Sequence, residues 1–203
     1  MRPRILFSII LALVAVFGSA IPATAAATTT RLYMSNDGTG CPGRPYLSLV
    51  ARSSDLRCGF EAGAPFGELY HAGLPLPDTR KAFSSRPGLP SQLIDAMRHI
   101  TGNVRVTGAS QSDPSVGQVR VDVKVYGTKT NGEIIVLGSS SSTQTLTGQT
   151  TLNFPLTIEI DDAMNRTQIN DVTSLVDIRG VHVFNGYHQL NGASYINLPT
   201  LTL

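Results

Sequence analysis

Two short stretches of this chain gather side chains able to recognise or transform a ligand: Asn185-Gly-Tyr-His-Gln-Leu-Asn191 and the acidic group Glu159, Asp161 and Asp162. The first clusters amides, a phenol and an imidazole between two apolar runs, the chemistry that loops use for recognition, so Asn185, Tyr187, His188 and Asn191 are the candidate binding residues. A polar turn with no ligand is the plainer reading of the same residues, with His188 a loop residue. Glycoside hydrolysis needs two carboxyl groups facing each other across a cleft. Three acids within four positions fit a turn cap better, or a calcium pair at Asp161 and Asp162. Calcium takes about six to eight oxygens, more than two aspartates supply.

Nucleophilic catalysis leaves no signature. The Gly-x-Ser-x-Gly elbow is missing, and the serine run Ser139–Ser142 has no histidine or acid beside it, which reads as a solvated turn. Of the histidines, His71 and His99 are isolated, His182 alternates with valines as a solvent-facing strand residue would, and His182 to His188 is not a zinc spacing. No catalytic residue, metal or other cofactor is assigned, and the chain is expected not to be an enzyme. Sugar-binding sandwiches present flat aromatic rings; this chain has no tryptophan, which leaves Tyr126, Tyr187 and Tyr195 for that role. Asn165-Arg-Thr167 has the form of a glycosylation sequon.

The elements that would position these residues are strands. Between Gly117 and Gly127, Val119, Val121, Val123 and Val125 alternate with Arg120, Asp122, Lys124 and Tyr126, the pattern of a strand with one face on a core and one in water. The outer charges, alternating in sign, suit solvated surface, so a ligand is expected in end loops around the Asn185 to Asn191 turn. Asn131-Gly132 signals a hairpin into the apolar return strand Glu133 to Leu137. Thr151 to Ile160 alternates again, with Pro155 marking an edge or a bulge because proline cannot donate to a ladder. Further strands are expected at 31–35, 46–51, 143–147, 172–178, 181–184 and 193–203, the last interrupted at Pro199. Residues 91–106 fit a helical face or a strand face; Gly102 and the β-branched Ile100, Thr101, Val104 and Val106 favour one long strand. Glycines and prolines between Gly59 and Pro90 make regular structure hard to sustain there. Its apolar residues predict an arm laid along the body, with a short edge strand near Glu68 to His71.

Arg2 and Arg4 precede an apolar run from Ile5 to about Ala20 and then small residues, the form of a secretory signal cleaved near residues 25–27. With those arginines gone, the 16 basic residues fall level with the 14 acidic ones, leaving no electrostatic footprint for nucleic acid or an anionic membrane. In an exported chain, Cys41 and Cys58 are expected to close a disulfide. A loop of that length contributes about 3 kcal/mol by restricting the unfolded chain.

The expected protein is all-β: an antiparallel β-sandwich, jelly-roll or Greek-key like, with an irregular disulfide-closed N-terminal segment. Its divisions are 1–27 signal peptide, 28–90 arm and first strands, and 91–203 sandwich core, with 28–203 one domain. The closing pattern Asn191-Gly-Ala-Ser-Tyr-Ile-Asn-Leu-Pro199 looks like the final strands of secreted jelly rolls. The role expected first is that of a secreted, non-catalytic binding module for an extracellular glycan or protein surface, without membrane insertion after signal removal. A structural or adhesive envelope protein and a carbohydrate-active enzyme are the alternatives.

Overall fold

The alternation around Val121 is realised as strand β8 (Gly117–Lys129), whose four valines are buried while Asp122, Lys124 and Tyr126 are only half covered. In the computed structural model the described residues are 25–36, 45–51, 70–71, 74–75, 80–85, 89–108, 117–146, 151–180, 186–190 and 192–202. The expected disulfide Cys41–Cys58 lies outside them, as do the signal up to residue 24, the strand at 181–184 with His182, and Asn185 and Asn191.

The other strands are β1 (Ala26–Asn36), β2 (Pro45–Ser48), β3 (Tyr70–His71), β4 (Leu74–Pro75), β5 (Arg80–Ser85), β6 (Gln92–Ile94), β7 (Ile100–Gly108), β9 (Ile134–Leu146), β10 (Thr151–Ile158), β11 (Gln168–Gly180), β12 (Gly186–Gln189) and β13 (Tyr195–Thr202). All-β architecture is what the alternation predicted. Among the described residues β3 and β4 pair only with each other, so the expected short strand near His71 is present as half of a two-residue ladder.

Six strands close on themselves in the order β13, β1, β2, β5, β11, β6, because β6 pairs with both β11 and β13. This is a mixed barrel, since β2 and β5 run parallel through Tyr46↔Ser84 and Leu47↔Ser85. The expected all-antiparallel pairing therefore fails at one place, where the long connection between the two strands gives enough chain to return in the same direction. Outer strands extend the barrel on two sides: β7 and then β10 from β13, with β12 also on β7, and β8 and then β9 from β11. Leu32, Val104, Val121, Phe154, Ile178 and Ile196 belong to one apolar cluster of the described residues, each fully buried.

Several local expectations change in three dimensions. Residues 91–106 form two strands rather than one, because Asp95 makes a turn between them: its carboxylate accepts from Met97 N at 3.2 Å and pairs with Arg98 Nε at 2.7 Å. Arg98 in turn donates to the Thr28 and Thr200 carbonyls, which ties the turn to β1 and β13. The serine run is not a turn. Ser139 to Ser142 continue β9 opposite Lys124 to Val121, in a register shifted by one residue from that of the hairpin between Tyr126↔Val136 and Val125↔Gly138. That hairpin is the expected one: Gly132 has φ 84°, and Asn131 Oδ1 accepts from Glu133 N at 3.0 Å. Pro155 lies on β10, which among the described residues pairs only with β7, so of the edge or bulge expected it takes the edge. Pro199 does not interrupt β13. It falls between the residues that pair with β7 and those that pair with β6, and its carbonyl accepts from Asp95 N at 3.1 Å.

The join between β7 and β13 depends on Gly102, where a methyl group would overlap the Tyr195 carbonyl oxygen and lie 3.1 Å from Ile196 Cα. Both obstacles are backbone, so no rotamer change relieves them. Gly102→Ala should lower stability by about 3 kcal/mol, the upper part of the range for overpacking. Chemical denaturation measures it, and a loss below about 0.5 kcal/mol, the scale of surface substitutions, would mean that the two strands are not held this close.

Candidate functional site on the outer face of strands β8, β9 and β11

The structure does not make a loop of the whole recognition stretch. Gly186 to Gln189 form β12 and pair with Gly108 to Arg105 of β7. His188, read from sequence as a loop residue, lies opposite the buried Val106 and is itself 1% exposed. Its ring meets Phe83 edge-on with centroids 5.7 Å apart, and Nε2 lies 3.0 Å from Ser194 Oγ. Burial pushes its pKa down to about 3, because a charged imidazolium would have to leave water. Ser194 Oγ accepts the Arg105 N–H at 2.9 Å, and a hydroxyl so placed can donate to Nε2, which matches a neutral ring. Both side chains are enclosed, so this serine and histidine are arranged for packing rather than for attack on a substrate. Tyr187 stands opposite Thr107 in the ladder.

The acidic group behaves as a cap. Asp161 precedes a single 3-10 turn, Asp162–Met164, and its Oδ1 accepts from Ala163 N at 2.9 Å. Among the described residues no three His, Cys, Asp or Glu side chains gather where a metal ion could be held.

What the structure does bring together is a polar groove of about 520 Å³ on the face expected to be plain solvated surface. Its lining includes Arg120, Asp122, Lys124 and Tyr126 of β8, Ser139 and Ser141 of β9, and Leu175 and Asp177 of β11. Register explains the assembly. Asp177, Asp122 and Ser141 form one row across the three strands, and Leu175, Lys124 and Ser139 the next. Paired residues of neighbouring strands share a face, so the outward positions of β8 recruit those of both neighbours.

Arg120 and Asp122 form a forked contact, with Nε 3.0 Å from each carboxylate oxygen and Nη2 3.0 Å from Oδ1. This offsets the repulsion of having Asp122 directly opposite the buried Asp177. Lys124 Nζ lies 5.2 Å from the centre of the Tyr126 ring, close enough for a cation–π contact. The groove thus offers carboxylates and hydroxyls as acceptors, an ammonium, a guanidinium and hydroxyls as donors, and one ring edged by charge. In sequence Tyr126 stands out as a candidate aromatic, whereas Arg120, Asp122 and Lys124 have the pattern of ordinary surface. The signal needed, the alignment of Asp177 with Asp122, is a long-range register.

No protein-family model and no curated relative matches the chain. Among solved structures it is similar to an aminopeptidase from the marine sediment archaeon Thaumarchaeota archaeon, at 7% identity and TM-score 0.48, over 87% of this chain and 37% of that one. It is also similar to the protein of the T13 infectious bursal disease virus particle, at 12% identity and TM-score 0.35, over 91% and 52%. A third likeness is to the Gx strain of the same virus, at 13% identity and TM-score 0.34, over 87% and 53%. The chain spans about half or less of the length of each of these three proteins.

Proposed function

We propose that this is an exported, non-catalytic binding protein, following a jelly-roll-like sandwich path, that takes a polar, hydroxyl-rich ligand such as a saccharide in the groove on β8, β9 and β11. The observation that carries the reading is the lining of that groove: two carboxylates in one row, serine hydroxyls on one side, and a lysine beside a tyrosine ring. Its volume of about 520 Å³ falls within the usual range for small-ligand sites. Sugar hydroxyls donate to carboxylates and accept from ammonium groups, so a mixed lining suits them better than it suits an apolar or a strongly charged ligand. Export rests on the apolar run after Arg4 and the small residues that follow it.

A glycan array probed with the secreted protein and with the double variant Asp122→Asn, Lys124→Ala tests the reading. Binding by the parent, reduced about tenfold or more in the variant at unchanged melting temperature, is expected from the loss of charged hydrogen bonds. Equal binding by both proteins would place the site elsewhere. No binding by the parent would favour the structural or adhesive role.

One observation favours an enzymatic alternative, a carbohydrate-active enzyme: Asp122 and Asp177 face the groove side by side. Shortening of an oligosaccharide by the parent but not by Asp122→Asn would replace the binding reading.

A further inference from the structure

The outer face made by β1, β13, β7 and β10 has a different chemistry. Not one of the strands β1, β2, β7, β10, β12 and β13 contains an aspartate or glutamate, although the chain has 14 acidic residues. Two arginines stand on this face, Arg31 and Arg105, both exposed and neither in an ion pair with any described residue. Around them the register sets neutral groups in rows: Arg31, Asn197, Thr101 and Thr157 in one, and Tyr33, Tyr195, Asn103 and Pro155 in the next, with Arg105 paired to Asn153 beyond.

Arg31 is held in place. Its guanidinium carbon lies 4.3 Å from the centre of the Tyr195 ring, and its Nε donates to Asn197 Oδ1 at 2.7 Å. Asn197 is itself fixed by donating to Thr101 Oγ1 at 3.1 Å, and Tyr195 is braced edge-on by Tyr33 at 6.2 Å. Stacking and a single hydrogen bond at Nε orient the planar group while leaving its terminal nitrogens without a carboxylate. A fork so prepared matches a planar carboxylate in two parallel hydrogen bonds, which an ammonium cannot do.

We infer that this face binds a carboxylate-bearing polysaccharide, with Arg31 as the fork for one uronate group and Arg105 as the second cation. The surface is the face of a sheet, and from β1 to β10 it crosses three strand spacings, roughly 14 Å. Its amides and threonine hydroxyls both donate and accept, which suits the hydroxyls of a sugar chain between its charges. Two cations are too few to hold a nucleic acid, whose binding rests on many phosphate contacts. The site is separate from the groove on β8, β9 and β11 and does not depend on it.

The test compares binding of the full secreted protein to polygalacturonate and to the same polymer fully methyl-esterified, which keeps the sugar and removes the charge. Polygalacturonate should bind, the ester should bind about tenfold less, and Arg31→Gln should lose about the same factor, as expected for a lost charged hydrogen bond. Arg31→Lys should fail nearly as badly, because it keeps the charge and loses the fork, while Glu133→Gln, beside Lys129 at the β8–β9 hairpin, should leave binding unchanged. Equal binding of acid and ester, full binding by Arg31→Lys, or tighter binding to dextran sulfate or to polyglutamate than to polygalacturonate would each overturn the assignment. A failure of Asp122→Asn alone would relocate binding to the groove. Melting curves of all variants check that the exposed substitutions leave the fold intact.

Discussion

Val123→Asp, or Val121→Asp, will leave no soluble folded protein, while Asp122→Ser will melt within a few degrees of the parent. Val121 and Val123 are 0% and 1% exposed and lie opposite Ile178 and Val176, so a carboxylate there has neither water nor a cation. Burying it unpaired costs several kcal/mol against a total stability of about 5–15 kcal/mol. Asp122 points the other way. Its serine variant loses the contact with Arg120, whose side chain is 52% exposed, and a pair so open to water contributes about 0–1 kcal/mol. Soluble yield and thermal melts of the three variants decide the matter. Equal losses at positions 121 and 122 would reverse the phase of β8 and, with it, the groove.

The second large effect is a loss of stability in mild acid that belongs to His188. Its pKa is lowered by burial from the ordinary 6.5 to about 3, so the folded protein keeps it neutral while the unfolded chain protonates it below about pH 6.5. This contribution is therefore complete above pH 6.5 and is lost progressively as the pH falls toward 3. At about 1.4 kcal/mol for each pH unit, the loss reaches roughly 3 kcal/mol near pH 4. Denaturant titrations at pH 7, 5.5 and 4 should show this decline in the parent and a flatter profile in His188→Gln, where nothing at that position takes up a proton. Carboxylates elsewhere are common to both proteins, so the difference between the curves isolates the histidine. Parallel curves would mean that His188 reaches water.

These two expectations differ in how far they could be read from the chain. The phase of β8 needs only its own valines, because side chains of a strand alternate strictly and a one-residue slip would turn every valine outward. The burial of His188 needs β7. Nothing in the stretch Asn185 to Asn191 says that Gly186 to Gln189 pair with Arg105 to Gly108, which puts His188 opposite a buried valine and turns a supposed loop imidazole into a packed one. The serine run failed in the same way: Ser139 to Ser142 look like a turn until β8 supplies a partner for each of them.

By itself the sequence determined that the protein is built of strands, which face of β8 is wet, where the Asn131-Gly132 hairpin turns, and that Pro155 stands at an edge or a bulge. Each of these rests on period-two alternation, on a backbone dihedral, or on a missing N–H, all properties of residues close together along the chain. Only the tertiary structure decided that β6 closes a six-stranded barrel, that β2 and β5 run parallel, that Asp177 joins Asp122 in one groove, and that Arg31 lies on Tyr195. These depend on pairings between residues from tens to more than 160 positions apart. Such pairings are selected by how the whole set of strands buries its apolar faces together, and no local pattern encodes them.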